Sequence, residues 1–160
     1  MSLFPYGKIS RIYPLSISIF FLMLPACTPA KLSPGEIRVH VPSFAASAIL
    51  NQAGGLLLIG SDPNIIFSEL RMTQAYPDEA VLVGDFIKAA KEQLVARSEK
   101  GGKDWCSFRD IPAGHYWVIS AEPVLIEGEH LLWAHPVRSG DPDWPPEIRL
   151  QRSNAAMVFK

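Results

Sequence analysis

The chain is poor in cysteine. Cys27 and Cys106 are the two thiols in 160 residues. That scarcity excludes a disulfide-stapled scaffold, so a fold of this length must be held by an apolar core. Charge of one sign is lacking as well. Fifteen Lys and Arg stand against sixteen Asp and Glu, for a net charge of −1. Backbone binding of nucleic acid needs clustered bases, and this balance gives no reason to expect such a partner. No repeat of fixed period and no low-complexity tract occurs. Acids are absent before Glu36. Against these absences, hydrophobic residues make up 48% of the chain, too many for a disordered polymer. Fourteen prolines and eleven glycines imply many turns, and so strands rather than a helix bundle.

One apolar run stands near the start. "LSISIFFLML" covers Leu15 to Leu24 between Pro14 and Pro25. As a helix it rises about 15 Å, half the thickness of a bilayer core, which is too short to span. Lys8 and Arg11 precede it. A positive start, an apolar middle and a small residue at the end describe a secretory signal. Leu24-Pro25-Ala26-Cys27 follows directly and resembles the lipobox of bacterial lipoproteins. The resemblance implies that Cys27 carries a diacylglycerol, that cleavage precedes it, and that it becomes the N-terminus. Two or three acyl chains on one residue attach a protein stably without a spanning helix. Thr28 after the cysteine, by the sorting behaviour of that class, favours the outer membrane where the cell has one. The domain would then face the periplasm or the exterior. An ordinary signal cut after Ala26 or Ala30 is the alternative. With Cys27 lipidated, Cys106 is the one remaining thiol and no intramolecular disulfide can form.

The expected organisation is therefore a signal over 1–26, a Pro-containing tether over 27–34, and one domain over 35–160. Within that domain "EIRVHV" (Glu36–Val41) alternates as a half-buried strand, with Ile37, Val39 and Val41 inward. "SAILNQAGGLLLIG" reads as two strands around Gly54-Gly55, followed by a turn at Ser61–Asn64. "IIFSELRMTQAY" leans to strand, and "AVLVG" (Ala80–Gly84) is another. One helix is expected near 85–99, capped by Asp85 and closed by Lys100-Gly101-Gly102. It reads as a packing element over one side of a sheet. "CSFRDIPAGHYWVIS" (Cys106–Ser120) reads as strand, turn and strand, a hairpin-like unit with Cys106, Phe108, Tyr116 and Val118 facing the core. "EHLLWAHPV" (Glu129–Val137) and "EIRLQRS" (Glu147–Ser153) supply two more strands. About seven short strands point to a mainly β chain, a β-sandwich with one inserted helix.

The stretch "FRDIPAGHYWVIS" resembles carboxypeptidase regulatory-like, or transthyretin-like, sandwich domains. The likeness rests on Phe108, Asp110, the Ile111-Pro112-Ala113-Gly114 turn, and Tyr116 with Val118. "GEIRVHV" suits the first strand of such domains, and "LLWAHPV" and "EIRLQRSNAA" their closing strands. The resemblance implies a non-catalytic module that stabilises, positions or binds, and it brings no catalytic residues. "KGGKDW", the helix at 85–99 and residues 42–79 depart from the family pattern.

The chemistry-bearing residues read blandly. Four histidines (His40, His115, His130 and His135) lack zinc-type spacing, and His130 and His135, five apart on one strand, would face opposite ways. "GSD" at 60–62 is not a nucleophile elbow. A core-facing Cys106 would be inert. Glu127 with Glu129 and Asp141 with Asp143 read as solvated pairs. Gly54-Gly55 and Gly101-Gly102 lack the Lys-Ser/Thr of a phosphate loop. No metal or cofactor is expected. Four tryptophans are many for this length. Trp105 and Trp133 suit the core. Trp117, opposite in phase to Tyr116, tends outward, and Trp144 sits in the Pro-rich loop "SGDPDWPP". Exposed indoles at Trp117 and Trp144 suit a ligand or partner surface. The expected function is that of a non-enzymatic, lipid-anchored envelope module, structural or protein-interacting, whose partner is an envelope protein or a glycan. A carbohydrate-binding module using Trp117 and Trp144 is second, and an envelope enzyme third.

Overall fold

The computed structural model describes residues 32–51, 55–143 and 147–160. All of them belong to one compact unit, Lys31–Lys160. The expectations for Cys27, the tether up to Lys31, Gly54 and Trp144 fall wholly or partly outside the described residues.

The described residues are mainly β, with three sheets and three α-helices. β1 (Ile37–His40) is followed by α1 (Ser43–Asn51), β2 (Leu56–Ile59), α2 (Pro63–Thr73) and α3 (Glu79–Glu92). Then come β3 (Leu94–Arg97), β4 (Glu99–Lys100), β5 (Trp105–Phe108), β6 (Gly114–Ser120), β7 (Val124–Ile126) and β8 (Glu129–Leu132). β9 (Ala134–Ser139), β10 (Glu147–Arg149), a 3-10 turn at Arg152–Asn154 and β11 (Met157–Phe159) complete it. The first sheet has the order β10-β1-β5-β4, the central sheet β3-β2-β6-β9, and a small third sheet β11-β8-β7. The β1–β10 pair is parallel and the other pairs are antiparallel.

The pleat of the central sheet separates two cores. Leu56, Leu58, Val118 and Val137 point one way and join Ile37, Val39, Cys106 and Phe108 of the first sheet in one apolar cluster. Leu57, Ile59 and Ile119 point the other way and meet Ile66, Val83, Phe86, Ile87 and Ala90 of α2 and α3. The layers are therefore helices, central sheet and first sheet. Both faces of β2 are dry, which is why it reads as the continuous run "LLLI" rather than an alternation. α1 buries Ala45 and Ile49 and packs against β5 and β7.

Two strand paths change sheet, and a serine fastens each change. β3 belongs to the central sheet and β4 to the first. Between them Ser98 donates its N–H to Leu56 O (2.9 Å), and its Oγ accepts from Leu56 N (2.9 Å). β8 belongs to the third sheet and β9 to the central one. The residue between them, Trp133, is fully buried. Its N–H donates to Ser120 Oγ (2.8 Å), its carbonyl accepts from Ser120 N (3.1 Å), and its indole Nε1 donates to Gln151 O (2.8 Å).

Several expectations are corrected. Among the described residues three α-helices are present where one was expected, and eleven strands where about seven were. "SAILN" belongs to α1, not to a strand. "SDPN" is a helix start: Asp62 accepts from Asn64 N (2.8 Å) and Pro63 occupies the first turn. "IIFSELRMT" is α2, because Ile66 and Leu70 reach the core beneath the helix. "AVLVG" opens α3, which Asp78 caps through Val81 N (2.9 Å). The helix thus spans 79–92 rather than 85–99. Asp85 lies inside it and accepts instead from Gln74 Nε2 (3.1 Å) and Tyr76 OH (3.3 Å). β5 and β6 do not pair as a hairpin. They lie in opposing sheets, and Asp110–Gly114 is an arch between them. Ile111 plugs that arch: its N–H donates to Gly35 O (3.0 Å) and its carbonyl accepts from the Ser139 hydroxyl (3.0 Å). The positive φ of the arch falls at Asp110 (55°), not at Gly114. "EHLLWAHPV" is two strands, so His130 and His135 sit in different sheets. "EIRLQRS" ends as a strand at Arg149, and β11 lies beyond it.

Candidate functional site

The alternation of β6 sends Tyr116 to the sandwich core and Trp117 to the helical side, opposite faces as expected. Trp117 is not an open platform. It pairs in register with Ile59 on one side and Pro136 on the other. Its half-buried indole lines a cleft of about 300 Å³. One wall is a stripe of α2, with Asn64, Phe67 and Arg71 at helical spacing. The facing wall is Trp117, Ala134 of β9, and Ala156 and Met157 at the start of β11. The cleft exists because the helices cover the β2 side of the central sheet and leave its β9 side to two alanines.

The walls are fixed. Phe67 stacks on Phe86 with ring centroids 4.0 Å apart and planes 6° from parallel, and Phe86 is fully buried. The backbone beside Met157 is held by the Ala156 N–H donating to Leu132 O (2.8 Å). The exposed Arg71 guanidinium forms no ion pair and no hydrogen bond with any described residue. The cleft therefore offers an apolar slot with one cation. Sequence reading found Trp117 but missed Phe67, Arg71, Ala134 and Met157. The spacing Asn64–Phe67–Arg71 was the available signal, hidden by the β-branched start of α2.

Trp133 and Trp105 are structural. Trp133 ties the strand switch. Trp105 is half-buried, lies under the Arg38 guanidinium (4.7 Å to the ring centroid), and packs on Gly101-Gly102. Cys106 is buried as expected, and its thiol pKa is pushed up to about 11, chiefly by loss of solvent, with a Ser98 hydrogen bond acting in the opposite direction. His40 Nε2 meets Glu147 Oε1 at 2.8 Å, and His130 stacks on Phe159 (5.3 Å). Among the described residues no three His, Cys, Asp or Glu are placed to hold a metal ion.

The acid pairs are more than solvated surface. Glu127 and Glu129 each hold Arg152, at 2.6 Å and 2.6 Å, which raises the guanidinium pKa. Asp141 accepts from Asp143 N (3.0 Å) and from Arg138 (3.3 Å), and both bonds hold its carboxyl below the ordinary range, the first more strongly. No family model, curated protein or solved structure matches the chain.

Proposed function

We propose that the chain is a membrane-tethered, non-catalytic envelope lipoprotein whose domain acts as a structural or protein-interaction module. The observation that carries this reading is Leu24-Pro25-Ala26-Cys27, placed directly after a basic start and a ten-residue apolar run. Among the described residues no helix is long and apolar enough to cross a membrane. In this reading attachment rests on the acyl chains at Cys27. The kinship with transthyretin-like sandwiches belongs to the same proposal. It is supported by the Ile111–Gly114 arch and by two four-stranded sheets that share one core. α2 and α3, on the outer face of the central sheet, are additions to that plan. Carbohydrate binding is the second reading, favoured by the part of the Trp117 indole left open in the cleft.

Globomycin tests the anchor. The expected outcome is accumulation of unprocessed precursor, and an unchanged mature band refutes lipidation. For the partner, the chain from residue 27 onward, carrying Cys27→Ala, is immobilised and exposed to envelope extract and to cell-wall polysaccharide. One protein retained at stoichiometric yield supports the interaction module. Retained glycan, lost with Trp117→Ala or Trp144→Ala, supports the second reading.

A further inference from the structure

We propose that the cleft between α2 and Trp117 is a binding site for a small amphipathic carboxylate, with an apolar body against Trp117 and Phe67 and the carboxylate at Arg71. The inference stands whether or not Cys27 is lipidated. Its volume of about 300 Å³ lies at the lower end of small-molecule sites, enough for a short acyl chain or one aromatic system. Phe67, Trp117, Ala134, Ala156 and Met157 supply the slot, and Asn64 and Arg71 are the polar side chains that line it. Asn64 already gives its amide to Asp62 Oδ1 (3.1 Å). A sugar would lose water from many hydroxyls here and gain few partners, which is costly. An acyl or aryl body loses only apolar surface. The Arg71 guanidinium has no side-chain partner among the described residues, so a carboxylate would be its first charge-assisted one. Ala134 and Ala156 keep the slot open where larger apolar side chains would close it. The Phe67–Phe86 stack and the paired β6 hold the walls in place before any ligand arrives.

The probe is sodium octanoate, titrated calorimetrically into the chain from residue 27 carrying Cys27→Ala, with octylammonium and glucose in parallel. Octanoate is expected to bind and to change the tryptophan emission. Octylammonium is expected to bind at least about tenfold more weakly, and Arg71→Gln to lower octanoate affinity by about the same factor. Ala134→Leu is expected to fill the slot and abolish binding while the unfolding midpoint stays near wild type. Failure of octanoate to bind at millimolar concentration overturns the proposal. So does equal affinity for octylammonium, or octanoate affinity unchanged in both Arg71→Gln and Ala134→Leu. Glucose binding in place of octanoate overturns it in favour of the glycan reading. Precursor processing reports on the anchor alone, so failure of one reading is distinguishable from failure of the other.

Discussion

Trp105 dictates the backbone beside it. Its carbonyl accepts from the N–H groups of Gly101 (3.2 Å) and Gly102 (3.1 Å), and its indole lies so close that a Cβ at either glycine would fall inside the ring's van der Waals envelope. Gly101→Ala must therefore displace the indole and its contact with Arg38. The expected cost is about 1–3 kcal/mol, read as a lower urea midpoint with a shifted tryptophan emission. An unchanged midpoint would show that the ring yields freely. Cys106 permits a test by pH. Its folded pKa, about 11, lies above the ordinary 9.0. The unfolded thiol therefore releases its proton first, and between those values the folded state binds more protons. Stability is complete below pH 9 and falls as pH rises toward 11, by on the order of 2 kcal/mol. In the Cys27→Ala background, Cys106→Val should flatten that part of the pH profile. A profile that superimposes on wild type would mean the thiol is not held protonated.

Two glycines with open space around them should respond in opposite senses when changed to alanine. Gly128 closes the two-residue turn between β7 and β8, where Glu127 has φ 51° and Gly128 φ 81°, a type I′ geometry. Gly84 lies inside α3. A Cβ meets nothing within 4 Å at either. Gly128→Ala should cost about 1 kcal/mol from the left-handed backbone alone, and Gly84→Ala should gain about 0.5–1 kcal/mol of helix propensity. Thermal unfolding of both variants checks the pair, and shifts of the same sign would refute it. The hairpin also explains what sequence reading reaches and what it misses. β1 is legible because it alternates with one face toward the core, and β5 and β6 because Cys106, Phe108, Tyr116 and Val118 recur in the same period, although β6 also buries Ile119 in the second core. β2 is legible as an apolar run. α2 is not, and α3 only from Asp85 onward, because "IIF" and "AVLV" carry β-branched and apolar residues at their starts, and tertiary burial beneath the helices overrides that local preference. Their caps, Asp62-Pro63 and Asp78, were the better signal. Glu127-Gly128 is a turn dipeptide between apolar runs, yet Glu is an unusual first residue for it. Its carboxylate is held by Arg152, twenty-five residues away, which no local pattern announces.

At the scale of the molecule, β2 and β6 serve two cores at once. Leu57 faces the helices and Leu58 faces the first sheet, and both are fully buried. The site inherits this arrangement. Trp117 was legible as the residue out of phase with Tyr116. The slot around it was not, because it needs α2, β9 and β11 brought together across ninety residues of chain. Strands buried on both faces couple the layers: removing the helices would expose Leu57 and Ile119, and removing the first sheet would expose Leu58 and Val118. Each layer is therefore expected to depend on the other. Leu57→Ala and Leu58→Ala should each cost about 2–5 kcal/mol, since each leaves a cavity in a packed core. Both should also leave unfolding as one transition, with far-ultraviolet circular dichroism and tryptophan emission changing at the same urea concentration. If Leu57→Ala instead melts the helical signal ahead of the emission change, the helices are a separable cover. The cleft would then open and close with them rather than stand preformed.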